Sequence, residues 1–271
     1  MIINGKAVAK EVLTQARIEA ERLPSPPTFA AFVVAPSTAT RSYLKVKERQ
    51  AMEAGVQMIV RELSKESTTE EIIDEVQTAP EDAIIVQLPL PEHVDMMRVL
   101  EAIPEDKDAD VLSPVARTHG QVMHPIAASV KHMLELGAVA VSGAHAVVVG
   151  QGWLVGQPVT AWLAEAGAEV HTVTKESGDL ELMAPAADII VSGAGSPGII
   201  TPDLVREGAA VIDVGTSELG GSIAGDVAPE VADKAGLFTP VPGGVGPLAV
   251  AYLMKNVVHL AGLKNQDNGV H

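Results

Sequence analysis

The chain has 271 residues, 47% hydrophobic and 20% charged, with a formal net charge of −16 at pH 7 and no cysteine. That length predicts two compact units, each able to bury a core, and that charge argues against nucleic acid, whose phosphates need a basic surface. Without cysteine there are no disulfides, thiolate metal sites or cysteine nucleophile.

No apolar run approaches the length of a membrane span, and the opening MIINGKAVAKEV lacks the basic and apolar regions of a secretory signal, so a cytoplasmic protein is expected. Residues 5–22, GKAVAKEVLTQARIEAER, have helical spacing with Val8, Val12, Ala16 and Ile18 near one face, and LPSPP stops that helix. TFAAFVVA follows as a strand, Thr38 to Ala54 as a helix ended by Gly55, and VQMIVREL as a second strand. STTEEIIDEV opens a third helix with capping-box spacing, Thr68 three residues before Glu71, and AIIVQLPLP is a buried strand closed by prolines. Alternating strand and helix implies a parallel sheet with helices on its faces.

The pattern restarts near residue 128. ASVKHMLELG reads as a connecting helix, HAVVVG as a first strand and GQPVTAWLAEAG as the helix after it; AEVHTVT, ADIIVSGAG, AAVIDVG and LFTPVP supply further short strands at βα spacing. PLAVAYLMKNVVHLAG is a last helix, expected to return to the first unit, and the polar tail LKNQDNGVH is expected to fray. The expected fold class is α/β: a three-layer α/β domain of residues 1–127 plus 247–271, with a Rossmann-type dinucleotide domain of residues 128–246, mostly parallel, inserted within it.

The stretch HAVVVGQGWLVGQP runs a buried strand into Gly150, Gly152 and Gly156, a G-x-G-x-x-x-G spacing one residue longer than the usual dinucleotide turn. Glycines let the backbone approach a ligand, and the following helix offers N–H groups to a phosphate. Taken alone, this stretch fits an ordinary βα turn equally well. The acidic run DKDAD alternates like the start of a calcium loop, but Val111 stands at its sixth position and Arg117 at its twelfth, so calcium is not expected. The eight histidines show no zinc spacing, and no metal is expected.

Four further stretches, SYLKVKERQAMEAGV, IIVQLPLP, EDKDAD and TPVPGGVGP, occur in this order around VVVGQGWLVGQP and AAVIDVG. Together, from about residue 2 to about residue 262, they make the chain resemble the bifunctional methylenetetrahydrofolate dehydrogenase/cyclohydrolase family. The resemblance implies NADP or NAD as cofactor, a tetrahydrofolate derivative as substrate, a homodimer, and a role in one-carbon metabolism and purine biosynthesis. It places the family's Y-x-x-x-K on Tyr43 and Lys47, an i, i+4 pair on one helical face, with Gln87 and Asp110 as the other catalytic positions. It implies cofactor binding by Gly150, Gln151, Gly152, Gly156, Lys175 and Thr216, and substrate binding by Tyr43, Asp110, Pro242, Gly243 and Gly244. In these roles Lys47 moves a proton during hydrolysis, Gln87 orients it, Asp110 meets the pterin's N–H edge, and Tyr43 packs beside the ring.

Departures from the family pattern cluster at both sites. Gln151 and Gly152 stand where the family's nucleotide turn reads R-S, and Thr174, Lys175, Glu176 and Ser177 replace H-S-K/R-T. Lys175 suits a 2′-phosphate, whereas Glu176 suits a ribose hydroxyl; the family pattern puts NADP ahead of NAD. Val111 follows Asp110 where the family has glycine, and Thr40 replaces the serine three before the tyrosine. A dehydrogenase lacking hydrolysis, and a non-catalytic nucleotide-binding relative, are the alternatives; the Tyr43, Lys47, Gln87, Asp110 set favours the bifunctional enzyme.

Overall fold

The structure, a computed structural model, describes residues 1–219 and 222–268. The chain divides into two compact units, residues 10–125 with 250–271, and residues 1–9 with 126–249.

In the first unit, helix α1 (Gly5–Ala20) leads to β1 (Thr28–Val34), α2 (Thr38–Ala54), β2 (Gln57–Leu63), α3 (Thr69–Gln77), β3 (Ala83–Val86) and the short helices α4 (Met96–Glu101) and α5 (Pro114–His119). The strands form a parallel sheet in the order β2-β1-β3. Phe29 pairs with Met58 on one side and Ala83 on the other, so β1 is central and every residue from Phe29 to Val34 is buried. That burial explains why β1 is a continuous apolar run rather than an alternating one. On α1 the buried positions are Ala9, Val12, Leu13, Ala16 and Ala20, whereas Ile18, expected on the inner face, is 41% exposed. Ser37 caps α2 by accepting from the Thr40 N–H, and Gly55 ends it in the left-handed region at φ 74°. Both halves of the Thr68–Glu71 capping box form at the start of α3.

The second unit contains α6 (Pro125–Leu136), β4 (His145–Val149), α7 (Gly156–Glu165), β5 (Glu169–Val173), α8 (Leu180–Met183), β6 (Ile189–Ser192), β7 (Ala210–Asp213), the hairpin strands β8 (Ser217–Leu219) and β9 (Ser222–Ala224), and β10 (Leu237–Thr239). Its main sheet is parallel in the order β10-β7-β6-β4-β5. The first strand of this series, β4, therefore lies between β5 and β6, and the strand order reverses there. Such a switch point opens a crevice at the carboxyl ends of the strands. Residues 1–3 run beside β10: the Phe238 N–H donates to the Met1 carbonyl (2.9 Å) and the Ile3 N–H to the Phe238 carbonyl (3.0 Å).

The last helix, α9 (Val245–Asn268), continues through most of the tail expected to fray. Two contacts accompany this: Lys264 Nζ reaches Asp82 Oδ1 at 2.8 Å, and Asn265 Nδ2 donates to the Ala261 carbonyl at 2.8 Å. The expected tail residues 269–271 lie outside the described residues.

Candidate active site

In the first unit, α2 carries Tyr43 and Lys47 one turn apart. Tyr43 is 45% exposed, while Lys47 is half-buried. Lys47 Nζ donates to Gln87 Oε1 at 2.8 Å. Gln87 follows β3 directly; its backbone N–H is tied to the Phe32 carbonyl of β1 (2.8 Å), and its side-chain Nε2 donates to the Leu88 carbonyl (2.9 Å). With Nε2 turned to the Leu88 carbonyl, the amide oxygen is the atom that faces Lys47.

The Asp110 carboxylate acts on the Lys47 amine. Burial holds the Lys47 amine below its ordinary range, and the Asp110 carboxylate opposes that shift. Burial in turn pushes the Asp110 carboxyl up; Lys47 and Arg117 pull it down and Asp108 adds to the rise. Asp108 is buried and built into the backbone, accepting from the N–H groups of Leu112 (3.1 Å) and Ser113 (2.8 Å). Asn256 of α9 donates through Nδ2 to the carbonyls of Ala109 and Met123, both at 2.9 Å, which fastens the acidic stretch in place. His124, buried beside Arg117, is lowered to about 3 by burial first and the guanidinium second, so it is neutral at pH 7.

In the second unit, the turn after β4 is built as the glycine spacing requires. Gly150 has φ 87°, and a Cβ on it would lie 2.8 Å from the Gly193 carbonyl oxygen. A Cβ on Gly156 would fall 2.0 Å from the Gly150 carbonyl oxygen, so only glycine lets α7 start there. Gly152 has open space around it, which leaves room for a ligand against the backbone. Gln151 folds back, its Nε2 donating to Thr160 Oγ1 (3.0 Å) and the Gly150 carbonyl (3.1 Å). Lys175 and Glu176 are exposed in the turn after β5, and Thr216 is exposed beyond β7. In the loop after β10, Gly243 has φ 106° and accepts from the Gly5 N–H at 2.9 Å. A Cβ on Gly5 would overlap the Gly244 carbonyl, so these glycines hold the loop and the N-terminal segment in close contact. Pro242, between them and β10, is exposed.

In the first unit, then, Lys47 and Gln87 are joined by a hydrogen bond, and in the second the glycine turn, Lys175 and Thr216 follow the carboxyl ends of β4, β5 and β7. Two family models match the chain, described as tetrahydrofolate dehydrogenase/cyclohydrolase, catalytic domain, over residues 3–110, and tetrahydrofolate dehydrogenase/cyclohydrolase, NAD(P)-binding domain, over residues 125–265. The chain belongs to the tetrahydrofolate dehydrogenase/cyclohydrolase family. It is 38% identical to the bifunctional protein FolD of Halothermothrix orenii over 272 residues, covering 95% of this chain and 96% of that protein. The crystal structure of the bifunctional enzyme FolD from Campylobacter jejuni aligns with a TM-score of 0.92 at 31% identity, covering 97% of this chain and 99% of the other. The Trypanosoma brucei dehydrogenase-cyclohydrolase, complexed with NADP cofactor and inhibitor, aligns at 0.91 and 33%, covering 97% and 98%.

The structure shows what two of the departures from the family pattern do locally, and adds residues that no motif marks. Val111, where glycine is the family's residue, keeps a glycine-like φ of 54°, a costly conformation for a β-branched side chain. Thr40 directs its hydroxyl to Ser37 Oγ at 2.9 Å, at the start of α2. Arg117, His124 and Asn256 carry no motif of their own; a buried histidine or asparagine announces itself only once its surroundings are known. A cavity of about 500 Å³ lies elsewhere, at the amino ends of the strands of the second unit, lined by Val139, Asp188, Arg206 and Leu237 among others, and contains none of the predicted site residues.

Proposed function

We propose that this protein oxidises 5,10-methylenetetrahydrofolate to the 5,10-methenyl form with NADP and then hydrolyses that product to 10-formyltetrahydrofolate. The observation that carries the reading is the Lys47–Gln87 hydrogen bond, with the Asp110 carboxylate acting on the same amine. A nucleotide-binding relative without chemistry has no need of a half-buried lysine oriented by an amide.

The residues of the second unit fit a dinucleotide. Gly150 and Gly156 let the turn pack closely, Gly152 leaves backbone open at the switch point, and the positive end of the ten-residue helix α7 suits a pyrophosphate. When bound, the nicotinamide supplies a hydride acceptor for the methylene carbon. Lys175 is suited to the 2′-phosphate. Glu176, its competitor in choosing NAD, is held below the usual carboxylate range first by a hydrogen bond from Thr174, within its own turn. That shift keeps Glu176 ionised, so it is the family pattern, with Lys175 in place, that puts NADP ahead.

On the folate side, Asp110 accepts the N–H groups of the pterin edge, and Tyr43 packs against the ring. Pro242, Gly243 and Gly244 offer backbone to the substrate. Water attacks the cationic methenyl carbon, and Lys47, favoured in its neutral form by burial, accepts the proton released. Gln87 keeps the lysine lone pair and N–H groups in one orientation. The protein acts in the cytoplasm as a homodimer and supplies one-carbon units for purine synthesis. Purified protein given methylenetetrahydrofolate and NADP tests the reading: reduced cofactor accumulates at its own absorbance band, and methenyl absorbance rises and then decays.

A further inference from the structure

Two aspartates of the second unit take no part in this scheme. Asp226 is fully buried and Asp213 is 1% exposed. Asp226 accepts four hydrogen bonds: from Ser192 Oγ (2.8 Å) and from the successive backbone N–H groups of Ala194 (2.7 Å), Gly195 (3.2 Å) and Ser196 (2.7 Å). Consecutive N–H groups converging in this way form an anion-binding nest. Here the anion is the chain's own carboxylate, and desolvation is offset by charge-assisted hydrogen bonds. Asp213 anchors the donor segment from below, accepting from the N–H groups of Asp226 (3.1 Å), Val227 (3.0 Å) and Gly215 (3.0 Å).

The loop so gathered, residues 193–196, is the wall against which the glycine turn rests. The Gly193 N–H donates to the Val149 carbonyl (2.9 Å), the last residue of β4. Gly150 would touch Gly193 and Ala194 if it carried a Cβ, and Gly193 would touch Val155, the residue before α7. Ser217, next to Thr216, closes the far side by donating to the Gly195 carbonyl (3.0 Å). Residues 194–196 are thus held by one carboxylate, alongside the Gly193–Val149 and Ser217–Gly195 hydrogen bonds, and their position bounds the space left at the switch point between β4 and β6.

We infer that Asp226 is a positioning residue for cofactor binding, its carboxylate holding the loop after β6 so that the glycine turn after β4 keeps the shape a dinucleotide requires. This rests on the dinucleotide reading of the turn. An amide at 226 keeps the size but replaces one acceptor oxygen by a donor facing backbone N–H groups.

The test is a fluorescence titration with NADP of the native enzyme, Asp226→Asn and Ser192→Ala, using Trp153 in the turn as reporter, with thermal unfolding and steady-state kinetics in parallel. Asp226→Asn is expected to raise the dissociation constant about tenfold, a decade corresponding to about 1.4 kcal/mol. Its KM for NADP should rise likewise while kcat at saturating NADP stays within about twofold. Ser192→Ala, which removes a single donor, is expected to raise the constant about threefold. A folded Asp226→Asn protein with native affinity overturns the inference, and if that variant does not fold, native affinity in Ser192→Ala does so. Native enzyme that binds neither NADP nor NAD overturns the underlying cofactor reading instead.

Discussion

Lys47 of α2 donates to Gln87 at the end of β3 over 2.8 Å, joining a helix and a strand that lie 40 residues apart in sequence. The bond gives the amine one direction, and burial favours its neutral form. Replacing Lys47 by Met removes the base while keeping the length of the side chain. Hydrolysis of methenyltetrahydrofolate is expected to fall by at least about 100-fold, the usual contribution of a positioned acid–base group. The decay of methenyl absorbance measures it, and hydrolysis surviving in full assigns the proton transfer elsewhere.

Asp110 acts on the same amine from the opposite sense. Its carboxylate raises the affinity of Lys47 for a proton, against the larger effect of burial. Hydrolysis carried by neutral Lys47 rises with pH toward a plateau, with a midpoint below the ordinary lysine value. In Asp110→Asn that limb moves to lower pH, because the group holding the proton is gone. The same variant loses a charged partner for the pterin, and its KM for folate is expected to rise about tenfold or more. A limb that stays in place or moves upward contradicts the electrostatic assignment.

His124 makes folding sensitive to acid. Its folded value is about 3 against 6.5 for the free side chain, so between those values the unfolded chain binds more protons and stability falls as pH falls. The expected loss from this residue is about 2 kcal/mol between pH 8 and pH 5. Denaturant unfolding at the two pH values measures it, and His124→Gln should lose correspondingly less. An equal loss in both proteins shows that His124 is not the source.

The glycine turn separates fold from binding. Gly156→Ala puts a methyl group 2.0 Å from the Gly150 carbonyl oxygen, and overpacking of that kind costs about 1–3 kcal/mol or more. Gly152→Ala meets open space, so its stability should change by less than about 0.5 kcal/mol while its KM for NADP rises. Thermal unfolding and cofactor saturation curves distinguish the two. Equal destabilisation of both would mean that Gly152 is a structural glycine.

The alternation of helices and strands could be read from apolar runs and their stops, because β1, β3, β4, β6 and β7 are buried continuously and bounded by Gly, Pro or capping residues. Helices α4 and α5, six residues each, are too short for a period to emerge, and the hairpin of β8 and β9 has three-residue strands. The length of α9 was missed because its polar end has no apolar face of its own; contacts at Lys264 and Asn265 accompany that end. At the site, Tyr43, Lys47, Gln87 and Asp110 stood out through a family pattern. Asn256 and Asp226 did not, since what they do depends on carbonyl and N–H groups brought to them from distant parts of the sequence.

The proposed pair of reactions, oxidation of methylenetetrahydrofolate with NADP and opening of the product with Lys47 as base, can be followed in a single cuvette. The most direct measurement is a side-by-side assay of the purified protein with methylenetetrahydrofolate and either NADP or NAD, recording reduced cofactor and methenyl absorbance together. Reduction is expected to be faster with NADP, with a transient methenyl signal that decays faster than in buffer alone. No reduced cofactor with either nucleotide would contradict the proposal.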